Sequence, residues 1–387
     1  MVISETQTPR TQLILYWIPP LVAGLAAFLL LVTLGGTPII RSGGLALVIV
    51  GVSLGLRRMG AVLSIIGGMT LLFIPAFWVQ SGGPEGDLAT IVIALIVAAV
   101  AVLAGIVVVR RPALGLGIGV IVFAGLFFSQ IGTPQSLRLT GFVVGWLLFL
   151  MIDMLLITNP HPGDSAPLIM RIRGMETSHA RDDGSHSAQP YHTLGMLMLF
   201  TVGILNDPLL VLLAPAIILS LTLTRTRLAR WYWVILFVVI LIAVRSFLIE
   251  YIDMRSYWFV FDQWRQASRW FNVVNTIIDQ FSIVGVVLSV LGISRLARWY
   301  PPLGVVTMFG YGAFAFFGLV YIGPNRAILL MPMFIIQITW MTYAVFAIGE
   351  WAKKSLPAYT PYQSWVIYAA YGLLPLNMLA QILNVVN

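Results

Sequence analysis

The residues that could do chemistry in this chain concentrate in one stretch, residues 250–271, where charged groups and large aromatics crowd together between two long apolar runs. Carboxylates can serve as general bases, and guanidinium groups can bind phosphate bidentately. The stretch therefore carries groups for acid–base chemistry beside groups for anion recognition. Its candidate residues are Asp253, Arg255, Asp262, Trp264, Arg265 and Arg269.

Helical periodicity over 250–271 predicts an amphipathic helix lying in a membrane interface, where aromatic side chains are favoured. At about 100° per residue, the apolar arc would hold Met254, Tyr257, Val260, Phe261, Trp264 and Phe271, and the polar arc Arg255, Asp262, Arg265, Gln266 and Arg269. Two interpretations stay open: a connector that anchors two spans, or a helix that faces a substrate.

Two further ionisable residues stand at the edges of apolar runs, where charge is costly and often functional. Asp207 lies between Asn206 and Pro208, and Arg326 precedes the apolar run AILLMPMF. Arg326 could bind a phosphate headgroup or anchor its span at the interface. Charges inside or near other spans are interpreted as interhelical partners or functional groups: Asp153, Asp279, and Arg245 paired with Glu250 or Asp253.

Composition places all of these residues in a membrane protein. Hydrophobic residues make up 59% of the 387 residues, charged residues 9%, and mean hydropathy is +0.96. Such a chain would expose far more apolar surface in water than it could bury, whereas helices in lipid satisfy their own backbone groups. The sequence predicts an all-α, polytopic transmembrane bundle.

Several functional classes are disfavoured by the residues present. The net charge of +8 is spread over short loops, which suits membrane topology rather than nucleic-acid binding. The chain has no cysteine and no P-loop, GxSxG or HExxH motif, so no cofactor is predicted. The four His residues fall in the polar segment 159–192 without helical pairing, so no metal site is predicted either.

Apolar runs divide the chain into about 11 to 13 spans. The first half, residues 1–158, holds six of these spans. A polar loop, residues 159–192, separates it from the second half, residues 193–387. The predicted spans are about 13–33, 39–56, 59–79, 88–109, 112–130, 139–158, two within 194–224, 228–249, 272–294, 301–322, 326–348 and 363–385.

Loop charges predict the orientation of these spans. Clusters such as Arg57-Arg58, Arg110-Arg111 and Lys353-Lys354 fall on one side only if 194–224 crosses twice, with a turn at Asn206-Asp207-Pro208. The prediction is a bacterial inner-membrane protein with its N-terminus inside. Residues 34–38, 81–87, Asp207, 250–271 and 323–326 then lie outside.

Part of the second half resembles a known family. The run LFTVGILNDPLLVLLAPAIILSLTLTRTRLARWYWVILFVVIL resembles the middle of polyprenyl-phosphate-sugar-dependent membrane glycosyltransferases of the GT-C type. The run from VVLSVLGISRLARWY to GPNRAILLMPMFIIQI is similar to their C-terminal region, where an Arg and a Pro open a late span. Over about residues 194–350, the resemblance implies that Arg326 contacts the phosphate of a lipid carrier and that 250–271 borders the substrate cavity.

Three functions remain open. The first is a GT-C-like protein that binds a membrane lipid such as a polyprenyl-phosphate sugar. Its substrate-binding residues would be Arg255, Trp264, Arg265, Arg269 and Arg326, and its candidate general bases Asp207, Asp253 and Asp262. Two more carboxylates, Glu85 and Asp87, are predicted on the same outer side of the membrane. The loop Gly35-Gly36-Thr37-Pro38 lacks the carboxylate such enzymes carry, which favours an accessory subunit with membrane-protein partners. A transporter is suggested by the Asp207 break, although no matching break is predicted in the first half.

Overall fold

The computed structural model describes residues 9–82, 137–158, 189–224, 230–355 and 361–383. Helices account for nearly all of this part of the chain, and the isolated bridge between Phe259 and Tyr321 is the one β-type pairing found in it. The predicted all-α, polytopic bundle is confirmed. Its α-helices are α1 (Pro9–Thr33), α2 (Ile39–Leu56), α3 (Ala61–Phe73), α4 (Pro75–Trp78), α5 (Leu137–Thr158), α6 (Gln189–Asn206), α7 (Ala214–Leu223), α8 (Arg230–Phe247), α9 (Ala267–Trp299), α10 (Pro301–Val320), α11 (Arg326–Leu329), α12 (Met331–Ser355) and α13 (Pro361–Ile382).

Seven helical segments among the described residues are long and apolar enough to cross a membrane, and a bent pair, α3 with 75–81, gives an eighth. Shorter apolar helices cover 140–155, 193–204 and 208–223. The predicted spans 88–109 and 112–130 and most of the loop 159–192 lie outside the described residues, so the total of 11 to 13 stays a prediction. The seven segments are Tyr16–Thr33, Arg41–Met59, Arg230–Asp253, Ala267–Trp299, Pro301–Val320, Met331–Lys353 and Trp365–Ile382.

The predicted span 59–79 is broken at Ile74. Its two helices, α3 and α4, meet at an angle of 69°, and Ile74 is extended, with ψ 136°. The cause is local, because a residue that precedes proline is pushed out of the helical region by the proline ring. The first half therefore does contain a broken span, which was not predicted from the sequence, although the Ile74-Pro75 dipeptide was its signal.

The predicted break at Asp207 is confirmed. Helix α6 ends at Asn206, a 3₁₀ helix runs over Pro208–Leu213, and α7 follows. Leu210 packs on Gly203, which a straight helix would hold about 10 Å away along its axis. The chain therefore folds back on itself at this turn, as the interpretation of two segments within 194–224 requires.

Contacts between loops define two ends of the bundle. At one, named the Asp207 end, the Tyr251 hydroxyl donates to Asp207, and the Asn206 side-chain amide donates to the Thr140 hydroxyl over 3.4 Å. The opposite end is named the Arg58 end, and there Arg58 contacts Asp153. Loops that were predicted to lie on the same side of the membrane therefore lie at the same end of the bundle. Which side of the membrane each end faces stays a prediction.

The segment 250–271 is not the single amphipathic helix that periodicity predicted. A π-helical turn covers Leu248–Asp253, 3₁₀ turns cover Ser256–Trp258 and Phe261–Gln263, and α9 begins only at Ala267. The backbone between these turns pairs with the 320–322 loop instead, since the Val260 amide donates to the Val320 carbonyl and the Ile322 amide to the Trp258 carbonyl. These tertiary hydrogen bonds replace the helical ones that local periodicity favours.

Candidate functional site

Arg326 is held against the first turns of α9. The chain enters α11 through Asn325, whose backbone is left-handed at φ 58°, so that Arg326 turns back toward α9. Its Nη2 donates to the Asn272 carbonyl over 3.0 Å and to the Thr276 hydroxyl over 2.6 Å. The guanidinium group is therefore half-buried and fixed in place, as a phosphate-binding arginine needs to be.

Arg269 stands beside it in the first turn of α9. Burial lowers the pKa of Arg326, and the positive charge of Arg269 lowers it further. Two guanidinium groups that repel each other favour an anion between or beside them, because an anion offsets their repulsion. The N-terminus of α9 adds partial positive charge to the same place, since Gln266 at its cap makes no side-chain hydrogen bond to it.

Arg265 and Trp264 lie on the approach to this helix end. The Arg265 guanidinium stacks over the Trp264 ring at 5.1 Å, and both side chains are exposed. The Trp264 ring lies 6.5 Å from that of Phe316, and its carbonyl accepts from the Trp270 indole over 3.0 Å. The group of Arg265, Arg269 and Arg326 is named the basic cluster below, with Trp264 at its edge.

Arg255 makes a different set of contacts. Its Nη2 pairs with Glu250 Oε1 at 3.2 Å, and its guanidinium stacks over the Tyr251 ring at 4.7 Å. Glu250 thus pairs with Arg255, whereas Arg245, a partner predicted for it from the sequence, is exposed on α8. By its contacts, Arg255 belongs to the buried group around Tyr251 and not to the basic cluster.

Asp207 is fully buried beneath Tyr251. One carboxylate oxygen, Oδ1, accepts from the Leu209 amide and from the Tyr251 hydroxyl, each over 2.9 Å. The other, Oδ2, has no hydrogen-bond partner among the described residues. Burial raises the pKa of Asp207 to about 6, against the opposing effect of these two hydrogen bonds. In this arrangement the carboxyl caps the 3₁₀ helix 208–213, and the Tyr251 side chain lies against it.

The other predicted carboxylates are distributed over the surface. Asp253 and Asp262 are exposed at the Asp207 end, on either side of the Trp258 turn, while Asp279 is exposed along α9. Glu85 and Asp87 lie outside the described residues. Asp253 and Asp262 are thus accessible from outside the bundle, whereas Asp207 is not.

Asp153 forms the interhelical contact that one interpretation expected. It lies on α5 and pairs with Arg58 in the 3₁₀ turn Arg57–Met59 that follows α2, and both side chains are nearly buried. Its role is accordingly to join helices.

Three residues of these sites were not predicted. Asn272 and Thr276 position Arg326, and Tyr251 covers Asp207. The spacing of Asn272 and Thr276, one helical turn apart and after Arg269, was a weak signal that they share a face. Tyr251 offered no signal, because its partner lies 44 residues away in the chain.

Comparison of the chain with known protein families, with characterised proteins and with solved structures finds no match.

Proposed function

We propose that this multi-pass membrane protein binds the phosphate of a polyprenyl-phosphate-linked sugar at its basic cluster, in the manner that its resemblance to GT-C glycosyltransferases implies. The observation that carries the proposal is the fixed position of Arg326 beside Arg269 at the start of α9. A phosphate monoester or diester carries the charge that two guanidinium groups and a helix N-terminus recognise.

The surroundings of the cluster favour a lipid over a soluble phosphate. Trp270 is 50% exposed and Phe271 is 65% exposed, and they follow Arg269 by one and two residues in the chain. Aromatic side chains of this kind favour the boundary between headgroups and acyl chains. A polyprenyl chain would lie along these rings while its phosphate meets the arginines.

Transfer of the sugar requires a carboxylate that reaches the acceptor. Asp253 and Asp262 are exposed at the same end of the bundle, so we assign them as candidate general bases. Asp207, buried and hydrogen-bonded, is assigned a structural role in the state described.

Binding of a polyprenyl phosphate to the purified protein in nanodiscs tests the proposal. Replacing Arg326 or Arg269 with Gln removes a charge-assisted contact and should weaken binding about tenfold or more. Arg298→Gln is the matched control, because Arg298 is exposed in the last turn of the same helix, at the Arg58 end. Wild-type affinity in both cluster variants would overturn the proposal.

Transport is a second candidate function, favoured by a contact between two broken helices. Helix α9 is broken at Ser282, whose φ of 59° and ψ of 174° are non-helical. Two residues earlier, Gln280 Oε1 accepts from the Ala76 amide over 2.8 Å, next to the break at Ile74. Discontinuous helices that meet within a bundle line the substrate sites of many transporters.

Thiol labelling at the break in α9 tests whether the protein is a transporter. The chain has no cysteine, so Ser282→Cys introduces a single reactive thiol. In sealed vesicles, a transporter should expose this thiol to membrane-impermeant reagent from both sides in turn. Labelling from one side alone, or from neither, would contradict transport through the paired breaks.

A further inference from the structure

A cavity of about 440 Å³ opens at the Asp207 end, where α8 passes into the π-helical turn. It is lined by Ser246, Ile249, Glu250, Met254 and Arg255. None of these residues belongs to the basic cluster. The volume falls within the range of about 300–1,000 Å³ typical of small-molecule sites.

The wall of this cavity presents one charge of each sign. Glu250 and Arg255 form an ion pair at 3.2 Å, with side chains 30% and 29% exposed. A purely anionic ligand at Arg255 would bring its charge close to the Glu250 carboxylate, which repels it. A ligand that carries both charges can satisfy Glu250 and Arg255 together, so the pair favours a zwitterion.

Packing holds the positive side of the wall in place. The Arg255 guanidinium stacks over Tyr251, and the Tyr251 ring lies 5.3 Å from Phe247 and 6.0 Å from Phe317. The Tyr251 hydroxyl is fixed by Asp207 at 2.9 Å. A recognition group fixed before the ligand arrives loses little conformational entropy on binding.

Apolar side chains around the cavity extend the site toward lipid. Ile249 is 44% exposed and Met254 is 69% exposed, and α8 beside them is largely unburied along its apolar length. A ligand with a zwitterionic head and hydrocarbon chains would place its head in the cavity and its chains along α8. This combination is the chemistry of a zwitterionic phospholipid.

We infer that the cavity is a binding site for a zwitterionic phospholipid headgroup, with the phosphate at Arg255 and the ammonium group at Glu250. The site uses other residues than the proposed polyprenyl-phosphate site, and it does not depend on that function. Phosphatidylethanolamine is the ligand chosen to test it, and phosphatidylglycerol, which carries the phosphate without the ammonium group, is the matched comparison.

Lipid titration of the purified protein, followed by native mass spectrometry, measures the preference. We expect wild-type protein to bind phosphatidylethanolamine about tenfold more tightly than phosphatidylglycerol, since one charge-assisted contact distinguishes them. Glu250→Gln should abolish this preference, while Arg255→Gln should weaken binding of both lipids. Asp279→Asn is the control, because Asp279 is exposed on α9 and does not line the cavity.

Equal binding of the two lipids by wild-type protein, or an unchanged preference in Glu250→Gln, would overturn the inference. Water-soluble glycerophosphoethanolamine tests the role of the acyl chains: weak binding supports a lipid site, and binding as tight as that of the phospholipid overturns it. The polyprenyl-phosphate proposal fails separately, because Glu250→Gln should leave polyprenyl-phosphate binding unchanged and Arg326→Gln should leave the lipid preference intact.

Discussion

Asp207 shows how a buried carboxyl is tolerated in the turn between two apolar segments. Its Oδ1 accepts from the Leu209 amide and the Tyr251 hydroxyl, which offsets part of the cost of burial. Burial still dominates and raises the pKa of Asp207 to about 6, from an ordinary value of 3.8. The folded protein therefore holds this proton more tightly than the unfolded chain does.

The consequence is a stability that depends on pH. Protonation of Asp207 adds to the free energy of unfolding; this contribution is fully present below about pH 4 and is lost as pH rises through about 6. Two pKa units correspond to roughly 3 kcal/mol in the free energy of unfolding. Thermal unfolding in detergent between pH 4 and 7 should show wild-type protein losing stability across this window, and Asp207→Asn should remove most of that loss.

Asp253→Asn is the control for this measurement, because it removes an exposed carboxyl from the same end of the bundle and leaves Asp207 in place. The account of Asp207 fails if the Asp207→Asn profile follows that of the wild type.

Helix α9 carries a break that sequence periodicity did not signal. Ser282 lies in an apolar run with neither Gly nor Pro next to it, yet its φ is 59° and its ψ 174°. This region of backbone conformation is one that only Gly adopts without strain. The contact between Gln280 and the Ala76 amide, adjacent to the break, joins α9 to the broken α3–α4 pair.

Ser282→Gly should therefore stabilise the protein, although glycine inside a helix ordinarily destabilises it. Relief of the strained backbone predicts a gain of about 1 kcal/mol in the free energy of unfolding. Ser294→Gly is the matched control in the same helix, where the backbone is helical, and it should cost about 0.5 kcal/mol. Equal losses in both variants, measured by chemical denaturation, would contradict strain at Ser282.

Most helices were predictable because hydrophobic length decides them. The span expected at 39–56 is α2, Ile39–Leu56, and the run expected at 301–322 is α10, Pro301–Val320. The segment 250–271 was mispredicted, since its backbone pairs with Val320 and Ile322, far away in the chain. Long-range hydrogen bonds of this kind leave no trace in local periodicity.

At the scale of the whole molecule, one nearly buried ion pair fixes the Arg58 end. The pair joins the turn that follows α2, which holds Arg58, to Asp153 on α5, and both side chains are largely withdrawn from solvent. Removing one partner leaves an uncompensated charge, whereas replacing both by apolar residues of similar size can be nearly neutral.

Asp153→Asn should accordingly lower the free energy of unfolding by about 3 kcal/mol, because it strands the Arg58 guanidinium. The double variant Arg58→Met, Asp153→Leu should recover most of that loss. Denaturation of the three proteins in the same detergent measures the coupling. Additive losses in the double variant would mean that the two residues stabilise the bundle independently.

The charged residues of the candidate site could be predicted from the sequence, but which of them lie together could not. Arg326 stood out because it precedes an apolar span, and Arg269 because it lies among aromatics. That Arg255 instead pairs with Glu250 depends on the turn at 254–258, which no sequence signal marked. Charge is visible in a sequence, whereas the partner of each charge is set by tertiary packing.

If the basic cluster recognises a lipid-linked phosphate, two lipids that differ only in that group should bind with different affinities. Wild-type protein in nanodiscs would be titrated with a polyprenyl phosphate and with the corresponding polyprenol. We predict that the phosphate form binds about a hundredfold more tightly, since contacts to both Arg269 and Arg326 depend on it. Equal affinity for the two lipids would contradict the account.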